Sequence, residues 1–139
     1  MSARHKARKR ALDVLYESEI KNLPISEIWQ QRTTEEGTTT NPYTEQLVLG
    51  ISLNLDAIDQ KITQVSTGWR LERMSPVDRS LIRIAAYEIL FRADVDIAVA
   101  INESVLLAKE ISSEEAPSFI NGVLGAIARL PEATKRSAV

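Results

Sequence analysis

The chain is 139 residues long, 44% hydrophobic and 26% charged, which suits one globular domain and excludes a chain too polar to bury a core. It holds no cysteine, so disulfides and thiolate metal sites are excluded, and no run approaches the ~20 apolar residues that a membrane helix needs. The net charge of −2 hides an asymmetry: five of the 17 Lys and Arg residues lie in the first ten positions, and all 19 acidic residues follow them.

The leader, residues 1–10, carries Arg4, Lys6, Arg8, Lys9 and Arg10. It has no apolar stretch of the kind a secretory signal requires, and an organellar presequence would stay acid-poor where Asp13, Glu17 and Glu19 follow at once. From Ala11 the pattern turns helical: Leu12, Leu15, Tyr16, Ile20 and Leu23 recur at i, i+3 and i+4, and the segment ends before Pro24. Ser26 is a candidate cap for a short helix holding Ile28 and Trp29. The polar run at 33–42, TTEEGTTTNP, reads as a loop.

Asn41 followed by Pro42 has the form of an N-cap with proline at the first helical position, and opens a stripe of Tyr43, Leu47, Gly50, Ile51 and Leu55. A further amphipathic helix is expected over 56–65 on Ile58, Ile62 and Val65, closed by Gly68. The segment WRLERM, 69–74, reads as a connector of about one helical turn. Ser75, Pro76 and Asp78 then form a strong start signal. The helix they open is apolar nearly all round, which places it in the middle of a bundle.

Two more helices are expected, one over 98–111 and one over 119–130 with Ile120, Val123, Leu124 and Ile127 on its stripe. Pro131 stops the last, leaving a frayed tail over 132–139. No segment alternates as a strand does. The expectation is an all-α single domain, residues 1–139, of about seven helices.

Catalysis fails on inventory. His5 is the only histidine, so a nucleophilic triad lacks its base, and no phosphate-binding Gly loop is present. Gly122 and Gly125 match a G-x-x-G string inside a helical pattern, where they would let another helix approach closely. Glu114 and Glu115 sit just before a helix start, opposite its positive end. Glu88 and Asn121 read as buried polar groups satisfied within the bundle. The leader leaves three readings open: a solvated tail, a targeting segment, or a phosphate-binding surface, the last giving steep salt dependence. Phosphate contacts position a strand without reading it, so base recognition would need aromatics such as Phe119 or Tyr16.

Two stretches are more specific. RSLIRIAAYEIL (79–90) followed by VAINESVLLAKEISSEEAPSFINGVLGAIAR (99–129), with ARHKARKRALDVLY (3–16) before them, resembles the NusB family of bacterial transcription antitermination factors. The YE-hydrophobic-L, AINE-x4-LAK and F-hydrophobic-NGVL strings occur in that family's order and spacing. The resemblance covers nearly the whole chain and is weakest over 22–70.

It implies an all-helical fold in two subdomains, no catalysis, no cofactor and no metal, in the cytoplasm and off the membrane. It also implies binding of single-stranded boxA-like RNA from ribosomal RNA leader transcripts. NusE, the ribosomal protein that doubles as a transcription factor, would bind alongside it within an RNA polymerase antitermination complex. On the family's pattern Arg4, Lys6, Arg8, Lys9, Arg10, Glu115 and Phe119 would meet RNA. Tyr16, Asp78, Arg79 and Arg83 would meet the protein partner, with Arg79 and Arg83 forming a joint charged patch. His5 and Lys6 stand where the family often has arginines, and Gly125 where it often has an acid. Two alternatives remain: an accessory domain like that of ribosomal RNA cytosine methyltransferases, and a structural helical homodimer.

Overall fold

A computed structural model describes residues 2–35 and 41–136. Among these residues the fold is entirely helical, with eight α-helices and one short 3-10 turn, and it divides into two compact units, residues 1–55 and 56–139. No helix among them is long and apolar enough to cross a membrane. Residues 36–40, in the expected loop, and 137–139, in the expected tail, lie outside the described residues.

The first unit is a three-helix assembly in which α1 (Ala3–Lys21) packs on α2 (Ile25–Glu35) and α3 (Pro42–Leu53), and α2 packs on α3. The basic leader is therefore part of a helix rather than a tail before one. Ser2 caps it, accepting from the His5 amide at 3.1 Å. Asn22 ends it in the left-handed region at φ 54°, and the Asn22 and Leu23 amides return to Glu19 and Ser18 carbonyls.

Pro24, rather than Ser26, sets the start of α2, because its carbonyl takes the amides of Glu27 and Ile28. That helix also runs further than its polar sequence suggests, to Glu35, and the Thr33 and Thr34 hydroxyls in its last turn bond back to Trp29 and Gln30 carbonyls. Asn41 caps α3 as expected, accepting from Tyr43 at 2.9 Å.

Helices α1 and α3 run parallel. Asn41 Nδ2 donates to Ala3 O at 2.9 Å, and Thr44 Oγ1 lies 3.4 Å from Ala7 O, so both helices advance together from that end. Ala7 and Ala11 are fully buried, as small residues allow where two helix backbones come close. Leu12, Val14 and Leu15 of α1, Ile25, Ile28 and Trp29 of α2, and Tyr43, Leu47, Val48 and Ile51 of α3 complete the buried hydrophobic set. Each buried aliphatic contributes about 1.5–3 kcal/mol of transfer energy.

The second unit holds α4 from Asp56 onward (Leu55–Val65), the 3-10 turn η1 (Leu71–Arg73), α5 (Pro76–Phe91), α6 (Ile97–Ile111), α7 (Ala116–Ala128) and α8 (Pro131–Arg136). Helix α5 is central and packs against α6, α7 and α8. Nine of its residues are buried, which is the all-round apolar helix its sequence announces. Ser75 caps it from Asp78 N at 3.1 Å. Ser104 Oγ of α6 donates to Leu81 O, and Ser112 Oγ donates to Asp78 Oδ1 at 2.6 Å, so α6 is tied to α5 along its length.

Three expectations are corrected here. Pro131 ends one helix but opens another, so residues 131–136 form α8 where a frayed tail is expected. A methyl group at Gly122 would meet nothing within 4 Å, and one at Gly125 only the Arg129 side chain at 3.6 Å. Those glycines admit no close helix, because Ile120, Val123, Leu124 and Ile127 form the buried face of α7 and the glycines lie off it. Asn121 is exposed for the same reason, whereas Glu88 is fully buried.

Candidate nucleic-acid interface

In the first unit the basic residues occupy the first two turns of a helix. That is the wrong end for cations, since the helix N-terminus carries about half a positive charge, and no acid stands in the first turn. The fold compensates with an aromatic ring. The Arg4 guanidinium lies 4.3 Å from the centroid of Tyr43, and that of Arg8 lies 5.7 Å from it.

The five cations are not equivalent. Arg4, Lys6, Lys9 and Arg10 are exposed, whereas Arg8 is only 3% exposed beside Tyr43. Arg8 is thus corrected from a surface contact to a buried support, because its position in the helix turns it inward with Ala7 and Ala11. Lys6 and Arg10, four apart on one face, make no side-chain hydrogen bond or ion pair among the described residues.

In the second unit Glu115 and Phe119 stand at the start of α7, one helical turn apart. Glu115 occupies the N-cap position in αR conformation, and its carboxylate does not cap its own helix. Phe119 meets Trp69 edge to face, with centroids 5.7 Å apart and planes at 61°. Around them opens a cleft of about 200 Å³ whose wall includes Arg73, Met74, Asp78, Glu115, Phe119 and Trp69. Sequence reasoning missed Trp69 and Arg73, which it read only as part of a connector. The available signal was a tryptophan among charged residues just after a helix-ending glycine.

The expected partner residues fare unequally. Tyr16 is exposed on α1. Asp78 accepts from Ser112. Arg79 Nη1 donates to the carbonyls of Leu71 and Met74, both at 2.8 Å, and so holds η1 against the start of α5. Arg83 forks onto Asp59 with two bonds of 2.8 Å. The joint outward patch expected of Arg79 and Arg83 is therefore corrected: their shared helix face looks onto η1 and α4, which take up the guanidinium donors.

The sequence model of the NusB family matches residues 5–129. The transcription antitermination protein NusB of Arthrobacter sp. (strain FB24) is 46% identical over 130 residues, 94% of this chain and 96% of that one. A solved structure of T. maritima NusB has a TM-score of 0.85 at 28% identity and covers 99% of each chain. A crystal structure of the antitermination factors NusB and NusE in complex with dsRNA contributes another similar chain. Its TM-score is 0.76 at 25% identity, over 91% of this chain and 97% of that one.

Proposed function

Because the chain belongs to the NusB family, whose matched relatives are transcription antitermination proteins, we propose that it binds boxA-like RNA of ribosomal RNA leader transcripts together with NusE. It does so without catalysis, as an adaptor supporting processive transcription by RNA polymerase. The observation that carries the reading is the crowding of cations at the positive end of α1, an arrangement the helix itself disfavours and a phosphate backbone relieves.

The two units supply different chemistry. Arg4, Lys6, Lys9 and Arg10 of the first are the phosphate contacts, and Arg8 braces them through Tyr43. Glu115 and Phe119 of the second are the base contacts, one an acceptor and one a ring. The similarity to a NusB and NusE assembly with RNA supports both components.

For NusE the surface we assign lies in the first unit. Tyr16, Ile20, Leu49 and Leu53 are the exposed large hydrophobic side chains described in that unit. Ile20 is 60% exposed and Leu53 86%, apolar surface that a partner protein would cover.

The test is a titration of boxA-like and scrambled single-stranded RNA against the wild type and a Lys6→Gln, Arg10→Gln variant, with and without NusE. Binding should weaken with salt at about 0.7 logarithmic units per phosphate contact, and the variant should lose about two contacts' worth. NusE should tighten boxA binding in particular. Unchanged affinity in the variant for both RNAs would refute the arm's role, and equal affinity with and without NusE would refute the joint mechanism. Sedimentation of Ile20→Glu in low and high salt separates a NusE surface from a homodimer contact.

A further inference from the structure

Trp69 is the most exposed large hydrophobic side chain described in the second unit. It is 57% exposed and lies outside any helix, just after the turn that Gly68 makes at φ +89°. Leaving an indole in water forfeits one of the largest burial gains a side chain offers. Two clefts meet at it, and their chemistry differs.

The first is the Phe119 cleft. Its charged groups are Asp78, Glu115 and Arg73, so its balance is negative, and Met74, Ala116, two serines and the two rings complete its wall. A phosphate would be repelled there, while a flat neutral group with hydrogen-bond donors on its edge would be held. The volume of about 200 Å³ is below the ~300–1,000 Å³ typical of small-molecule sites, and suits one base.

The second cleft shares Trp69 and Arg73 with the first, is otherwise lined by Thr63, Ser66, Gly68 and Arg70, and contains no acid. Ser66 Oγ is buried there and makes no hydrogen bond among the described residues. Two guanidinium groups with two hydroxyls and no carboxylate suit a phosphate.

We infer that Trp69 is the centre of a one-nucleotide subsite: a guanine base enters the Phe119 cleft, and the adjoining phosphate lies against Arg70 and Ser66. The inference rests on the RNA-binding reading above and names the base at that site. Guanine is favoured over the other bases by donor and acceptor count. Its N1–H and 2-amino group together meet one carboxylate, for which Glu115 is placed, and its O6 and N7 accept from a guanidinium, for which Arg73 is placed. Cytosine and adenine offer a single amino group to the acid, and uracil offers only its imide N–H. The edges that make this distinction are open only in unpaired RNA. Trp69 and Phe119 supply the faces on which the base rests.

The experiment titrates the full chain with labelled oligouridine hexamers bearing one central guanosine, inosine, adenosine or cytidine, read by anisotropy and by tryptophan fluorescence. Guanosine should bind roughly ten-fold tighter than inosine, which lacks the 2-amino group. Glu115→Gln should bring that ratio near one without changing the salt slope. Arg70→Gln should keep the ratio and lower the slope by about 0.7. Trp69→Ala should weaken every hexamer at least about five-fold while leaving thermal unfolding unchanged.

Equal binding of guanosine, inosine and adenosine hexamers overturns the subsite, as does a preference for cytidine. If the hexamers then still weaken in the Lys6→Gln, Arg10→Gln variant, RNA binding through the arm stands and the guanine subsite alone falls. Absence of binding to any hexamer at low salt removes both.

Discussion

Arg83 and Asp59 are joined as a fork, Nε to Oδ1 and Nη2 to Oδ2, both at 2.8 Å, so that the middle of α5 is fastened to α4. The side chains are 12% and 25% exposed, a partly dry setting in which a bidentate pair counts for more than a surface one. Asp59→Ala should cost about 1–3 kcal/mol in urea unfolding. Arg83→Lys should recover only part of the loss of Arg83→Ala, because an ammonium cannot fork.

Arg8 and Arg10 stand two residues apart and should behave oppositely. Arg10→Ala should leave stability within about 0.5 kcal/mol of wild type, as for an exposed position. RNA affinity should fall, with the salt slope reduced by about 0.7. Arg8→Ala empties a buried site beside Tyr43 and should cost about 1–3 kcal/mol, with its binding defect following the loss of fold. Thermal unfolding set beside RNA titration at two salt concentrations separates the two.

The Glu17 carboxylate takes hydrogen bonds from Lys21 at 2.6 Å and from Arg32 Nε and Nη2 at 2.9 and 2.6 Å. These partners, Lys21 first, hold its pKa below the ordinary carboxylate value. The depressed folded value means the stabilisation is fully present above the unfolded pKa, about 4.3, and is lost as pH falls through the folded one. Wild type should therefore exceed Glu17→Gln by a constant margin from pH 7 to 5, with the gap closing below about pH 4. A gap that persists at pH 2 would contradict this. The effect should be modest, since the pair is near the surface.

Asn41 has two tasks, capping α3 through Oδ1 and holding the Ala3 carbonyl through Nδ2. Asn41→Asp keeps the cap and turns the second contact into a repulsion. Global stability should drop by no more than about 1 kcal/mol, while amide exchange over residues 5–8 accelerates. Equal exchange in both proteins would show that the clip does not hold the arm.

What the sequence disclosed and what it withheld follow from range. Asn41-Pro42 and Ser75-Pro76 were legible as helix starts because each cap finds its amide within three residues. The all-round apolar pattern of α5 announced its central place. The helical state of the leader was less legible: its Ser2 cap is local, but the cations that follow repel one another. Tyr43 and Asn41, more than 30 residues away, support it from outside the leader. Arg79 and Arg83 show the same limit: spacing put them on one face, but only the fold turned that face toward η1 and Asp59. Of the candidate base-binding cleft, Phe119 and Glu115 were reached through the family pattern, whereas Trp69 and Arg73 lie in a stretch whose local signals speak only of a turn.

The Ser2 cap and the Asn41 clip fix the arm as helix in the free protein. An arm that folds only on its ligand surrenders about 1–2 kcal/mol of backbone entropy for each residue it orders. Here that loss is borne by the folding of the first unit, so on the proposed reading RNA would meet a charge array already at its final spacing. Recognition at this end would then be a matter of docking rather than of coupled folding, with little change expected in far-ultraviolet circular dichroism and a small heat-capacity change.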